Sequence, residues 1–175
     1  MRHSLRLAML ALASWPLPAT AQNAPVADAF RANTKKVAKR LMLSAQEMPA
    51  TKYGYKPTAA QMTFGEVVAH LAEDNDIICS VISGATAPTR TPMAATEIKA
   101  HLIARLEETF AFCDQSLASL DDAQLGAALS FAGLTESRAL IMIQSAGHWS
   151  DHYSQMAIYL RINGLLPPTA KDPAI

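Results

Sequence analysis

The sequence predicts an all-α fold, in the form of a four-helix bundle, from three observations. Half of the 175 residues are hydrophobic, with abundant Ala, Leu and Met and only 7 Gly, and this composition favours helices. Alternating runs of Val, Ile and Thr bounded by turn residues are absent from the sequence. Four segments instead carry apolar residues three and four positions apart, which is the spacing of one helix face. The length suits one domain with a sizeable core.

The first 21 residues are typical of a secretory signal peptide. Arg2 and Arg6 precede an apolar run over residues 7–17, and the Ala-Thr-Ala sequence at 19–21 matches a small-x-small cleavage site. An apolar run of about 11 residues is too short to span a bilayer, which takes about 20. We therefore expect an exported protein, most simply periplasmic, whose mature chain has no membrane span.

The mature chain is expected to form a bundle over residues 22–168 and a loose tail over residues 169–175. The first helix is predicted over residues 25–48, and Pro49 ends it. Its apolar face consists of Val37, Leu41, Ala45 and Met48. The basic residues between them are interpreted as a solvated surface. In the loop over residues 50–62, two tyrosines either cover a pocket or close the end of the bundle; they are Tyr53 and Tyr55.

The second helix is predicted to begin at a capping box formed by Thr63 and Glu66. It runs to about Ser83, and Gly84 ends it. Its apolar face carries Val67, Leu71, Ile78 and Ile82. His70 lies beside this face, and three polar residues follow it one turn later, namely Glu73, Asp74 and Asn75. A single helical histidine is usually structural, so His70 gains meaning only from the rest of the chain.

A linker rich in Pro and Thr over residues 84–95 is predicted to be extended. The third helix follows, from Thr91-Pro92 or from Thr96 to Leu120, with apolar residues in a regular periodicity. His101 falls on this helix between a Glu and an Arg one turn away, which predicts an exposed position.

Cys79 and Cys113 either form a disulfide or remain two buried thiols, and the expected oxidising compartment favours the disulfide. The two cysteines lie at similar distances from the starts of their helices, so a disulfide requires these helices to run parallel. A parallel arrangement needs a connection about 30 Å long, and an extended linker of twelve residues reaches about 40 Å. The disulfide and the long linker thus predict the same topology.

Residues 124–134 are predicted to be an irregular connection that leads to a capping residue, Thr135, without any strand. The fourth helix then runs to Asn163-Gly164. One stripe of this helix consists of Ile141, Ser145, His148, His152, Gln155 and Tyr159. Trp149 lies about 100° away from the stripe and is predicted to pack in the core.

If the second and fourth helices pack antiparallel, His70 and His152 come to similar depths in the bundle, and His148 lies one turn deeper. Three imidazoles can hold a divalent metal and leave a fourth position open, as in catalytic zinc sites. Nickel and ferrous iron also accept imidazole. The alternative is that hydrogen bonds satisfy three partly buried histidines. Asp74, at i+4 from His70, is the candidate general base. The alternative is that Asp74 simply belongs to a solvated helix face.

Two segments of the chain resemble the DinB/YfiT-like superfamily. They are TFGEVVAHLAEDN, which holds His70, and GHWSDHYSQMAIYLRINGLLPP, which holds His148 and His152. The resemblance covers about residues 25–168. It implies a bundle in up-down-down-up order and a metalloenzyme whose metal ligands are these three histidines.

Three functions follow as hypotheses. The first is a metal-dependent hydrolase or transferase acting on a small molecule, since a three-histidine metal site can activate water or polarise an oxygen. The second is a non-catalytic metal-binding or stress-associated scaffold of the cell envelope. The third is an interaction module without metal. A formal net charge of zero argues against nucleic acid as a partner. Helix faces in such bundles also form homodimers, but the sequence identifies neither an interface nor a substrate.

Overall fold

The computed structural model describes residues 24–94 and 97–175. The predicted signal peptide, residues 1–21, and Thr96, one of the two predicted starts of the third helix, lie outside the described residues. The five helices of this part of the chain are α1 (Pro25–Glu47), α2 (Phe64–Ser83), α3 (Lys99–Ser116), α4 (Arg138–Ile162) and α5 (Pro168–Lys171). Two short strands, β1 (Ala128–Phe131) and β2 (Leu134–Ser137), precede α4.

The ends of α2 follow from local hydrogen-bonding chemistry. The side chain of Thr63 accepts a hydrogen bond from Glu66 N at 3.1 Å, and Glu66 Oε2 accepts one from Thr63 N at 2.6 Å. This is the predicted capping box. Gly84 ends the helix at a φ of 80°, a left-handed conformation that glycine adopts without steric strain.

α2 and α3 run parallel, as the two cysteines and the linker predicted. Asn75 Nδ2 donates a hydrogen bond to Thr109 Oγ1, and one turn further along both helices Cys79 and Cys113 lie at disulfide distance, with their Cα atoms 5.2 Å apart. The partners advance together along the two chains, which is the pattern of parallel neighbours.

α1 and α4 run in the opposite direction to this central pair. At one end of the bundle Lys99 Nζ, at the start of α3, donates to Met48 O, just after α1. At the other end Arg31 Nη1 donates to Leu120 O, beyond the end of α3. Likewise, Tyr159 near the end of α4 donates to Met62 O before the start of α2. The up-down-down-up order is therefore confirmed, as is the all-helical bundle as a fold class.

The prediction of a connection without strands was wrong. β1 and β2 form an antiparallel hairpin in which Ala128 lies opposite Ser137. Thr135, the predicted cap of the fourth helix, lies within β2. Ser137 caps α4 instead, because its hydroxyl accepts a hydrogen bond from Leu140 N at 3.2 Å.

The bounds of α3 and the tail also differ from the predictions. α3 begins at Lys99, after the exposed Ile98, rather than at Thr91-Pro92 or Thr96, and it ends at Ser116 rather than at Leu120. The tail, predicted to be loose, contains α5 and packs on α1, where Lys171 pairs with Glu47 at 2.7 Å and Arg40 donates to Ile175 O.

The core lies between the four long helices. Its largest fully buried side chains include Trp149, Tyr159, Phe64, Leu41, Met48 and Leu71. The burial of Trp149 confirms that this residue packs in the core. Along the described ranges, no helix combines the length and the hydrophobicity that crossing a bilayer requires.

Candidate metal centre

Three histidines meet at the groove between α2 and α4. His70 lies on α2, and His148 and His152 lie one turn apart on the antiparallel α4. Each residue offers one nitrogen, and these three atoms all lie within 4.8 Å of one another. The ring centroids are 5.5 Å apart for His70 and His148, 4.9 Å for His70 and His152, and 4.5 Å for His148 and His152. The structure thus brings together the three residues that helical spacing had selected.

The cluster is partly open to solvent. The side chain of His70 is 35% exposed and that of His148 is 26% exposed, while His152 is half-buried. The imidazole rings are therefore partly accessible from solvent.

Asp74 lies beside two of the histidines. Its Oδ2 atom is 3.3 Å from His70 Nε2 and 3.2 Å from His148 Nε2. His148 Nε2 is nevertheless buried without a hydrogen-bonding partner among the described residues, because the carboxylate approaches it outside hydrogen-bonding geometry. A buried ring nitrogen without a partner is unfavourable, and this one faces the centre of the cluster.

The electrostatic environment of Asp74 favours its ionised form. Partial burial raises the pKa of the carboxyl, but the close contact with His148 and the charges of His70, His148 and His152 lower it by more. The net result is a pKa below the usual value for an aspartate.

A directed chain of hydrogen bonds determines which nitrogen of His152 carries the proton. Tyr159 donates its hydroxyl proton to Met62 O at 2.9 Å, so the Tyr159 oxygen can only accept from Gln155 Nε2, at 3.2 Å. Gln155 Oε1 therefore faces His152 Nδ1, at 3.0 Å, and must accept from it. The proton lies on Nδ1, and Nε2 keeps its lone pair toward the cluster.

The surroundings of His152 favour its neutral form. Burial lowers the pKa of its imidazole, the hydrogen bond to Gln155 raises it in part, and the charges of His148 and His70 lower it further. The net pKa lies below the usual value. The neutral imidazole is the form that ligates a metal.

Other residues singled out in the sequence lie elsewhere. Glu73 is exposed, and Asn75 is buried in the core, where its side chain bonds Trp149 instead of a histidine of the cluster. His101 is exposed, as predicted, and pairs with Glu97 at 2.7 Å. Tyr53 closes the end of the bundle, where its hydroxyl donates to Ala45 O at 2.6 Å.

Two depressions flank the cluster. On one side, a depression of about 490 Å³ has a mixed lining, with His70, Lys56, Glu66 and Glu73 beside apolar residues that include Met62 and Met93. On the other side, a cavity of about 420 Å³, called here the hairpin cavity, lies between α2 and the β-hairpin. Its walls include Asp74, Ile77, Ile78, Val81, Ser130 and Phe131. Sequence reasoning missed the hairpin side of this cavity, because the strands were not predicted.

The donor set fits a divalent transition metal. Three imidazoles converge from two helices. One of them offers a buried nitrogen that has no hydrogen-bonding partner among the described residues, and another is oriented by a hydrogen bond to its far nitrogen. Histidine ligands of metals commonly have such a second hydrogen bond. Zinc, nickel and ferrous iron all accept this set.

Comparisons of the sequence and of the structure with known proteins point to the same family. The profile of the DinB superfamily matches residues 29–156. Among solved structures, a DinB-like protein from Bacillus cereus ATCC 10987 is 16% identical, with a TM-score of 0.69, over 81% of this chain and 95% of that one. The DinB-like protein YjoA from Bacillus subtilis is 18% identical, with a TM-score of 0.64, over 78% of this chain and 92% of that one. At these identities the structural likeness concerns the fold. No curated protein matches the chain.

Proposed function

The chain belongs to the DinB superfamily, and we propose that it binds a divalent transition metal through His70, His148 and His152. The observation that carries this proposal is the convergence of three imidazole nitrogens within 4.8 Å of one another. The buried Nε2 of His148 supports it, because a metal would supply the partner that this atom lacks among the described residues. The metal would be zinc, nickel or ferrous iron.

We further propose that the site is catalytic, as a metal-dependent hydrolase or transferase acting on a small molecule. When bound, a divalent metal would act as a Lewis acid toward a carbonyl or phosphoryl oxygen and make a water molecule more acidic. Three protein ligands would leave one coordination position free for substrate. Asp74 lies next to two of the three nitrogens, where its carboxylate would accept a proton from a reacting group.

The position of Asp74 also favours a second candidate function. A carboxylate oxygen 3.3 Å and 3.2 Å from two ligand nitrogens lies close enough to become a fourth ligand after a small movement. A closed site of that kind would belong to a non-catalytic metal-binding or stress-associated scaffold of the cell envelope.

The proposed location is the periplasm. The proposal rests on the predicted signal peptide, and the Cys79–Cys113 pair supports it because disulfides persist in oxidising compartments. Expression of the full chain in a Gram-negative host, followed by fractionation and N-terminal sequencing, should yield periplasmic protein that begins at Gln22. Recovery of the uncleaved chain in the cytosol would contradict this proposal.

Elemental analysis of the mature protein, purified without a histidine tag, tests the metal site. We expect about one equivalent of a transition metal per chain, lost in a His148→Ala/His152→Ala variant. His101→Ala is the matched control, because it removes an exposed histidine from α3 and should leave the metal content unchanged. If wild type and variant both lack metal after incubation with Zn²⁺, Ni²⁺ and Fe²⁺, there is no metal site.

Cobalt substitution distinguishes the two candidate functions. In the Co²⁺-loaded protein an open position would bind added azide and change the visible absorption spectrum, whereas a site closed by Asp74 would not respond. If Asp74 closes the site, Asp74→Asn should allow azide to change the spectrum. If the site is open, the same variant should respond to azide as wild type does.

A further inference from the structure

We propose that the hairpin cavity binds the alkyl or aryl group of an amphiphilic substrate whose polar group lies at the three histidines. This inference rests on the metal site proposed above and adds the class of substrate. The cavity, between α2 and the β-hairpin, has a volume of about 420 Å³, within the range of small-molecule sites.

The cavity adjoins the metal centre along α2, through Asp74. His70, Asp74, Ile77 and Val81 succeed one another at spacings of four, three and four residues, and therefore share one face of the helix. Asp74 belongs to both places, since its Oδ2 atom lies 3.3 Å from His70 Nε2 and the residue also lines the cavity. A molecule held at the histidines therefore has the cavity as its neighbour on the next turn.

The walls of the cavity are almost entirely carbon. Ile77, which is 52% exposed, lines the cavity together with Val81 and the half-buried Phe131 of the hairpin. Beyond Asp74, the one polar side chain among the described wall residues is Ser130. Such walls favour an apolar group, because a polar one would lose water without gaining hydrogen bonds.

The opposite side of the centre has a different character. The depression next to His70 is lined by Lys56, Glu66 and Glu73 together with apolar residues that include Met62 and Met93. The metal centre therefore lies between a mixed wall that carries three charged side chains and a wall that is almost entirely apolar. This difference would give a bound substrate one orientation, with its apolar group under the hairpin.

Binding of n-alkyl hydroxamates to the Zn²⁺-loaded protein tests the proposal. The hydroxamate is a metal-binding group, and the chain is lengthened from acetyl to octanoyl while affinity is measured by calorimetry. Affinity should rise up to about fourfold with each added methylene until the cavity is filled.

Ile77→Ser should reduce this gain in affinity per methylene and leave acetohydroxamate affinity and zinc content unchanged. Ile143→Ser, a change at a 70% exposed position on α4, is the control and should keep the wild-type increment. An affinity independent of chain length in wild type would overturn the proposal.

A second measurement separates this proposal from the metal site. In metal-free protein, octanohydroxamate should shift the methyl NMR signals of Ile77, Ile78 and Val81 in a saturable manner, and Ile77→Ser should weaken this binding. If no metal binds but these shifts occur, the result supports the proposed cavity and contradicts the proposed metal site. If zinc binds but the shifts are absent with and without metal, the cavity proposal fails alone.

Discussion

Asn75 on α2 accepts a hydrogen bond from the indole nitrogen of Trp149 on α4, at 2.8 Å between Oδ1 and Nε1, and both side chains are fully buried. The Asn75 amide also donates to Thr109 on α3 at 3.2 Å. Asp74 directly precedes Asn75 in the chain, and His148 directly precedes Trp149. One buried amide therefore joins three helices and sets the relative height of the two that hold the histidines.

Asn75→Ala should destabilise the metal-free protein by about 2 to 3 kcal/mol, because the Trp149 N–H would be left buried without an acceptor. Urea unfolding measures the change. Glu73→Ala, two positions away at an exposed site, is the control and should alter stability by no more than about 0.5 kcal/mol. Equal stability of the two variants would show that the Asn75 bonds contribute nothing.

Gln155→Leu should weaken metal binding about 10- to 100-fold, because it removes the acceptor that holds the proton of His152 on Nδ1. Long-range ¹H–¹⁵N correlation NMR of the metal-free protein reports the tautomer directly. We expect Nδ1–H in wild type and a mixture of tautomers in the variant. Ser154→Ala, at the neighbouring exposed position, should keep the wild-type tautomer. An unchanged tautomer in Gln155→Leu would remove this role from Gln155.

Removal of the disulfide by Cys79→Ala/Cys113→Ala should destabilise the protein by about 4 kcal/mol, since the bond closes a loop between residues 34 positions apart. Urea unfolding with and without dithiothreitol is the measurement. The reductant should lower the stability of wild type and leave the double variant unaffected. If dithiothreitol does not change the stability of wild type, and both thiols of the unfolded protein react with a thiol reagent, the disulfide is not formed.

The capping box predicts a pH dependence of stability. The pKa of Glu66 is below its ordinary value, chiefly because its carboxylate accepts a hydrogen bond from the backbone N–H of Thr63. A group whose pKa is lowered by folding stabilises the protein above its unfolded pKa, about 4.3 for Glu, and this contribution is lost as the pH falls through the folded value. Wild type should therefore be more stable than Glu66→Gln at pH 6 to 7, and the difference should shrink below about pH 4. Thermal unfolding across pH 3 to 7 measures it; a difference that stays constant with pH would contradict the assignment.

The features predicted correctly depend on short-range chemistry or on simple geometry. The capping box of Thr63 and Glu66 depends only on residues three positions apart, and Gly84 ends the helix for an equally local reason. The parallel arrangement of α2 and α3 was predicted from the positions of Cys79 and Cys113 along their helices and from the length of the linker that joins these helices. The convergence of the histidines then followed from that topology together with helical periodicity.

The features that were missed depend on partners far away in the chain. The hairpin has strands of only four residues, and its turn uses Ala132 and Gly133, both with positive φ, instead of the Asn-Gly pair that signals such a turn. The orientation of Gln155 depends on Met62 O, more than 90 residues earlier, through Tyr159. The hairpin cavity could not be foreseen once the strands were missed.

The pairing of Cys79 with Cys113 has a consequence for how the protein withstands peptidases. The linker after α2 is largely exposed from Gly84 to Ala94, and this stretch lies inside the covalent ring that the pair closes. A single cut there would open the ring without separating the two pieces of the chain. Each piece would keep its helices in place, and the bundle would survive as a two-chain molecule. Such a nicked protein would migrate as one band on a non-reducing gel and as two after reduction.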